Sequence, residues 1–145
     1  MTHSDIEVVE QTLRIAARPE TVWRYWTDAE RLCDWWGSAA EVDARPGGVY
    51  LVEMSAGPTM RGEFVELVPH ERIVFTFGWD PMEGGPDVPP GSTRVEVTLT
   101  AVDDDTMVTL RHTGLPIAQV DEHRAGWSHF LPLLVAAIMR SAKEA

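Results

Sequence analysis

Cysteine is almost missing from this chain of 145 residues, with Cys33 the only one. That excludes an internal disulfide and a cysteine-based zinc site. Lysine is equally scarce. Of 12 basic residues only Lys143 is lysine, and 23 acidic residues bring the formal charge to −11. So acidic a chain lacks the basic patch that nucleic acid or an anionic membrane surface needs, so neither is expected as a partner. The surplus charge reads as a solubility feature. No apolar run is long enough to span a bilayer, and residues 1–10 show no basic-plus-apolar leader. These absences together point to the cytoplasm. A glycine-rich phosphate loop, a serine nucleophile elbow and a His-Glu-x-x-His run are also missing. No catalytic residue is assigned, and no cofactor or metal is expected.

What is present organises around the last thirty residues. On a helical wheel Val120, Trp127, Leu131, Leu134 and Ile138 share a face, flanked by Phe130 and Val135. Asp121, Glu122, His129 and Arg140 take the other side. Pro132 interrupts this helix. It has no N–H for the carbonyl of Ser128, and its ring crowds that turn, so a bend is expected there that widens a cavity mouth.

Before that helix the period is mostly two. Residues 6–15 read as a strand with Val9, Leu13 and Ile15 on one face. Pro19 and Glu20 then suit the first turn of a short helix whose apolar face is Val22, Trp23 and Trp26. Asp28 caps a second short helix, and Gly37 is placed to end it in the left-handed conformation. Strands follow over residues 41–44, 49–55, 60–67, 73–79, 93–101 and 107–113. Tyr50, Val52 and Met54 share a face, as do Val95, Val97 and Leu99, and Val108, Leu110 and His112. Gly62 marks a bulge or a close approach. Residues 80–91, rich in Pro, Gly and acid, are either a lid over a site or a plain disordered loop. The whole is expected to be one α+β domain, residues 1–145, with a curved antiparallel sheet of six or seven strands around a long C-terminal helix.

Several short stretches, in this order, carry a resemblance. They are residues 17–23 (ARPETVW), Trp35-Trp36-Gly37, Pro46-Gly47-Gly48, Phe64-Val65-Glu66-Leu67, residues 72–77 (RIVFTF), residues 108–112 (VTLRH) and Gly126-Trp127. The chain resembles the START-like (SRPBCC) superfamily with its helix-grip fold. Within it the similarity is to the branch called heat-shock-protein-90 ATPase activator-like. The resemblance implies a cavity for a hydrophobic small molecule. Relatives include lipid carriers, cyclases, hormone receptors, a co-chaperone and many bacterial ligand-binding domains of no settled activity. It specifies fold more than activity.

Candidate ligand-binding residues follow from strand parity and helix face. Met54, Phe64, Phe75, Phe77, Trp127, Leu131 and Leu134 line the expected hollow, with Trp36 and Trp79 at its rim, where an indole offers a flat face and an N–H. His112 faces inward, either as a hydrogen-bonded core residue or as the group that orients a ligand. His123, one turn before Trp127, either reaches the same cavity or packs at the helix start. Cys33 reads as a buried structural thiol. Three functions remain open. The first is binding of a small, neutral, largely apolar ligand, by a monomer or a homodimer. The second is a cyclase- or aromatase-type enzyme using the same cavity. The third is a module that docks on a chaperone partner.

Overall fold

The computed structural model describes residues 8–144. Expectations for residues 6, 7 and 145 lie outside the described residues. Seven strands and three helices follow one another as β1 (Val9–Ile15), α1 (Pro19–Thr27), α2 (Ala29–Leu32), β2 (Ala39–Val42), β3 (Val49–Glu53), β4 (Thr59–Val68), β5 (Arg72–Phe77), β6 (Thr93–Val102), β7 (Asp105–Thr113) and α3 (Ile117–Glu144). All strand pairs are antiparallel, in the order β1-β7-β6-β5-β4-β3-β2. Strands β2 to β7 form a meander. The two short helices carry the chain from β1, at one edge, to β2 at the other. With α3 as the gripped helix, this is the α+β helix-grip arrangement.

Alternating burial sets which face looks inward. Val95, Val97 and Leu99 on β6, and Val108, Leu110 and His112 on β7, are all buried. Their neighbours make the outer face, where Arg72 bridges Glu66 and Glu96 across three strands (2.6 and 2.8 Å). Pro19 sits at the start of α1, and the Asp28 side chain accepts from the Glu30 N–H at 3.0 Å to cap α2. On β1, Gln11 donates to the Arg124 carbonyl (3.2 Å) and to Ser128 Oγ (2.9 Å), which fastens α3 along that edge strand.

Two local expectations change, and a third is narrowed. Gly37 does not take a positive φ. Glycine is needed there because a Cβ would come within 2.5 Å of the Glu53 carbonyl oxygen and 2.6 Å of Val52. A close approach, not a left-handed cap, is the requirement. At Gly62 the close approach does occur, since a Cβ would collide with the Thr76 carbonyl of the next strand; the register irregularity itself falls between Phe64 and Glu66. Cys33 is exposed, not buried, because α2 ends at Leu32 and the following turn rolls Trp35 and Trp36 inward and the thiol outward.

The hollow expected between sheet and helix is largely filled by rings. Trp26, Trp35, Trp36 and Trp127 pack at centroid separations of 4.8 to 6.3 Å. Below them Tyr50 stacks on Phe64 (4.5 Å) and meets Phe75 edge-on (4.6 Å). Tyr50 gives its hydroxyl to the Trp26 carbonyl, and Trp35 gives its indole N–H to the Tyr25 carbonyl at 2.9 Å. Burial pushes the Tyr50 phenol well above its usual pKa. Through its C-terminal carbonyls, which have no partner within the helix, α1 is tied to β3 by Tyr50 and to the turn after α2 by Trp35.

Candidate functional site

An open cleft remains where the ring-filled core meets the middle of α3. Its inner part, about 270 Å³, is bordered by Trp36, Phe77, Trp79 and Pro86 on one side, and by Glu122, His123, Gly126, Trp127 and Phe130 of α3 on the other. A wider outer part, about 620 Å³, continues past Cys33 and Asp34, the β3–β4 turn with Met54, and His129 and Leu133. Trp36, Trp79, Pro86 and Phe130 border both parts, so the two are one groove. The α3 wall follows from spacing alone, because residues 123, 126, 127 and 130 fall on one helical face.

Two indole–imidazole pairs stand behind and beside this groove. The Trp127 N–H donates to His112 Nδ1 at 3.1 Å. That leaves the proton of a neutral ring on Nε2, which meets Thr93 Oγ1 at 2.9 Å, and Thr93 donates onward to the Phe77 carbonyl at 2.7 Å. His112 is 0% exposed. Burial, with a smaller contribution from His123, lowers its pKa from 6.5 to about 3. The second pair repeats the pattern. The Trp79 N–H donates to His123 Nε2 at 3.0 Å, and His123 Nδ1 binds the Gln119 carbonyl at 2.7 Å. Burial lowers the pKa of His123, against the opposing pull of the Gln119 carbonyl and the Glu122 charge. Phe77 packs edge-on against both imidazoles, at 4.5 and 5.9 Å. Each ring therefore stays neutral with both nitrogens committed. Neither offers a free nitrogen to a ligand.

Trp79 also fixes the neighbouring loop. Its backbone N–H donates to the Val88 carbonyl (2.7 Å), and Val88 is buried. Next to it Asp80 takes a two-pronged bond from Arg61 at 2.7 and 3.0 Å, which holds the Asp80 pKa below its ordinary value. The loop between Asp80 and Gly91 is thus pinned at its base and again at Val88. Its turn at Met82 to Gly85 projects, and Met82 is 52% exposed. Pro86 bends back against the cleft.

The structure brings together Trp36, Phe77, Trp79, His123 and Trp127 in the inner cleft, and Met54 in the outer part. Trp36 forms floor more than rim, at 4% exposed. Phe64, Phe75 and Leu134 are sealed in the core and border no opening. Leu131 faces a separate groove against β1, which it shares with Gln11, Leu13 and Pro132. The helix is continuous through Pro132, and that residue itself borders the β1 groove and not the cleft. His112 sits behind the cleft wall and holds Trp127. Periodicity does not single out Glu122, Gly126 or Pro86; the helical spacing around His123 carries a signal for the first two.

The family model described as "Activator of Hsp90 ATPase homolog 1-like protein" matches residues 16–138. The chain belongs to this family. Among solved structures, an AHSA1-like protein from Rhizobium etli is 38% identical, with 90% of this chain and 81% of that one covered and a TM-score of 0.71. The Aha1 dimer from Colwellia psychrerythraea shares the fold at 18% identity (90% and 95% covered, TM-score 0.76). DynU16, from a dynemicin biosynthetic locus, is 24% identical over 92% of this chain with a TM-score of 0.77. This chain spans about half of DynU16, 47% of its length. No curated protein matches the chain in sequence. Among the described residues of this AHSA1-like chain, no helix is long and apolar enough to cross a membrane. Among the same residues, no group of three or more His, Cys, Asp or Glu is placed to hold a metal ion.

Proposed function

We propose that this AHSA1-like chain binds a small, largely apolar molecule in the cleft between Trp36, Trp79 and α3. The observation that carries the reading is one continuous groove walled by indole and phenyl rings, open to solvent, on a core that is otherwise packed shut. Rings on two sides suit a flat or cyclic guest, which gains burial against both. His112 and His123 act as positioning residues. They accept the N–H groups of Trp127 and Trp79 and so hold the cleft walls at fixed angles.

Gly126 provides the test. A side chain there would enter open space, with nothing within 4 Å of an added methyl group. Gly126→Leu fills the inner cleft and, by replacing a mid-helix glycine, does not weaken α3. Titration of a hydrophobic dye, followed by quenching of tryptophan emission, should saturate for the wild type and fail for Gly126→Leu at unchanged melting temperature. Equal dye binding by both proteins would move the site elsewhere, and no saturable binding by any apolar probe would end the reading. The family's name supports a second reading, a domain that docks on a chaperone. That reading predicts stimulation of Hsp90 ATPase activity by the purified chain, lost when the exposed Leu133 at the outer cleft is made polar.

A further inference from the structure

We infer that the cleft selects a ligand whose apolar body carries a fixed positive charge, an organic cation of the quaternary ammonium type. This rests on the reading of the cleft as a binding site and adds the ligand's chemistry. Acidity of the chain as a whole goes only as far as excluding anions. The cleft goes further.

Five aromatic rings border the inner part, and each carries negative electrostatic potential on its face. The one charged side chain bordering it, among the described residues, is Glu122. Neither lysine nor arginine of the described residues borders the inner or the outer part. Glu122 is exposed and takes part in no ion pair among the described residues; the nearby Arg124 is held by Asp121 at 3.0 Å. At the outer end Asp34 is shared with Arg31 at 3.8 Å, so the uncompensated charge sits at the inner end. The two imidazoles at the inner part do not oppose a cation. His112 and His123 are neutral, and the Nδ1 of His123 is engaged by the Gln119 carbonyl. A methylated ammonium is weakly hydrated, so it loses little on entering, and it gains from ring faces and carboxylate together. The field of a chain at −11 concentrates cations near the mouth.

The test uses three compounds of nearly one shape: benzyltrimethylammonium, its uncharged carbon isostere neopentylbenzene, and phenylmethanesulfonate. Binding is read by tryptophan quenching at low salt, for the wild type and Glu122→Gln. The cation is expected to bind about tenfold tighter than the neutral isostere, with no binding by the sulfonate. Glu122→Gln, an exposed change on α3, should cut the cation-to-neutral ratio roughly threefold, and added salt should do the same. Equal affinity for cation and isostere, unaffected by Glu122→Gln, overturns the charge selection while the cleft reading stands. No saturable binding by any of the three overturns both.

Discussion

Lowering the pH from 7 to 5 should remove about 2 kcal/mol of stability through His112 alone. The folded protein holds this ring neutral, with its pKa lowered from 6.5 to about 3 by burial, so the unfolded chain takes up the proton first. Stability from this source is whole above about pH 6.5 and declines as pH falls. The slope is about 1.4 kcal/mol per pH unit, and the total is about 4–5 kcal/mol once the folded ring titrates near pH 3. The geometry explains why the ring resists. Protonated at Nδ1, it would confront the Trp127 N–H at 3.1 Å, donor against donor, in a site with no water contact. The assay is urea unfolding at pH 7 and pH 5 on the wild type and on His112→Gln. Carboxylates and His123 titrate in both proteins, so the difference between their pH dependences isolates His112. Should His112→Gln not fold, an NMR titration of the wild-type imidazole answers the same question. A pH dependence shared by both proteins, or a folded-state inflection near 6.5, would refute the reasoning.

Other substitutions test the framework and the cleft wall. Trp127→Ala should cost about 3–5 kcal/mol in urea unfolding, since it empties a ring site in the core and strands His112 Nδ1. Near-native stability would show that Trp127 carries little of the packing. Gly62→Ala should cost about 1–3 kcal/mol, because its methyl group meets the Thr76 carbonyl and not a side chain able to move; a neutral result would mean that β4 and β5 separate easily. Trp79→Phe deletes the bond to His123 and should raise amide hydrogen exchange between residues 80 and 92 without changing exchange in β6. Unchanged exchange in that loop would show that the Arg61–Asp80 pair and Val88 pin it without the indole.

Strand parity makes most of the fold legible. Alternation alone puts Val95, Val97, Leu99, Val108, Leu110 and His112 on the inner face, and all are buried. The resemblance carried by residues 17–23 and by Trp35-Trp36-Gly37 points to the same family that the match over residues 16–138 shows. What stays hidden depends on register and on short irregular turns. The partner of His112, Thr93, is set by β5 and β6 pairing Phe77 with Thr93 while β6 and β7 pair Val95 with His112, and no periodicity encodes that offset. Cys33 escapes a reading from sequence because a four-residue helix followed by a turn has no stable period. The depth of the cleft is hidden for another reason. Phe64 and Phe75 have the right parity to line a hollow, but ring volume from Trp26, Trp36 and Trp127 fills it, and volume is a property of packing and not of pattern.

The position of β1 has a consequence for how the chain reaches this structure. Among the described residues it is the first strand, yet its only strand partner there is β7, and Arg14 reaches Asp105 across 91 residues. Strands β2 to β6 can zip one hairpin at a time, while β1 must wait until nearly the whole sheet exists. Closing so long a loop late is slow, and the waiting strand presents unpaired backbone groups to any other chain. A ribosome-bound chain that ends before Asp105 would hold an orphan N-terminal strand. Docking of β1 would then be the committing step of folding, and slowing it by substitution at Gln11, its clasp on α3, would raise aggregation before it lowered the final stability.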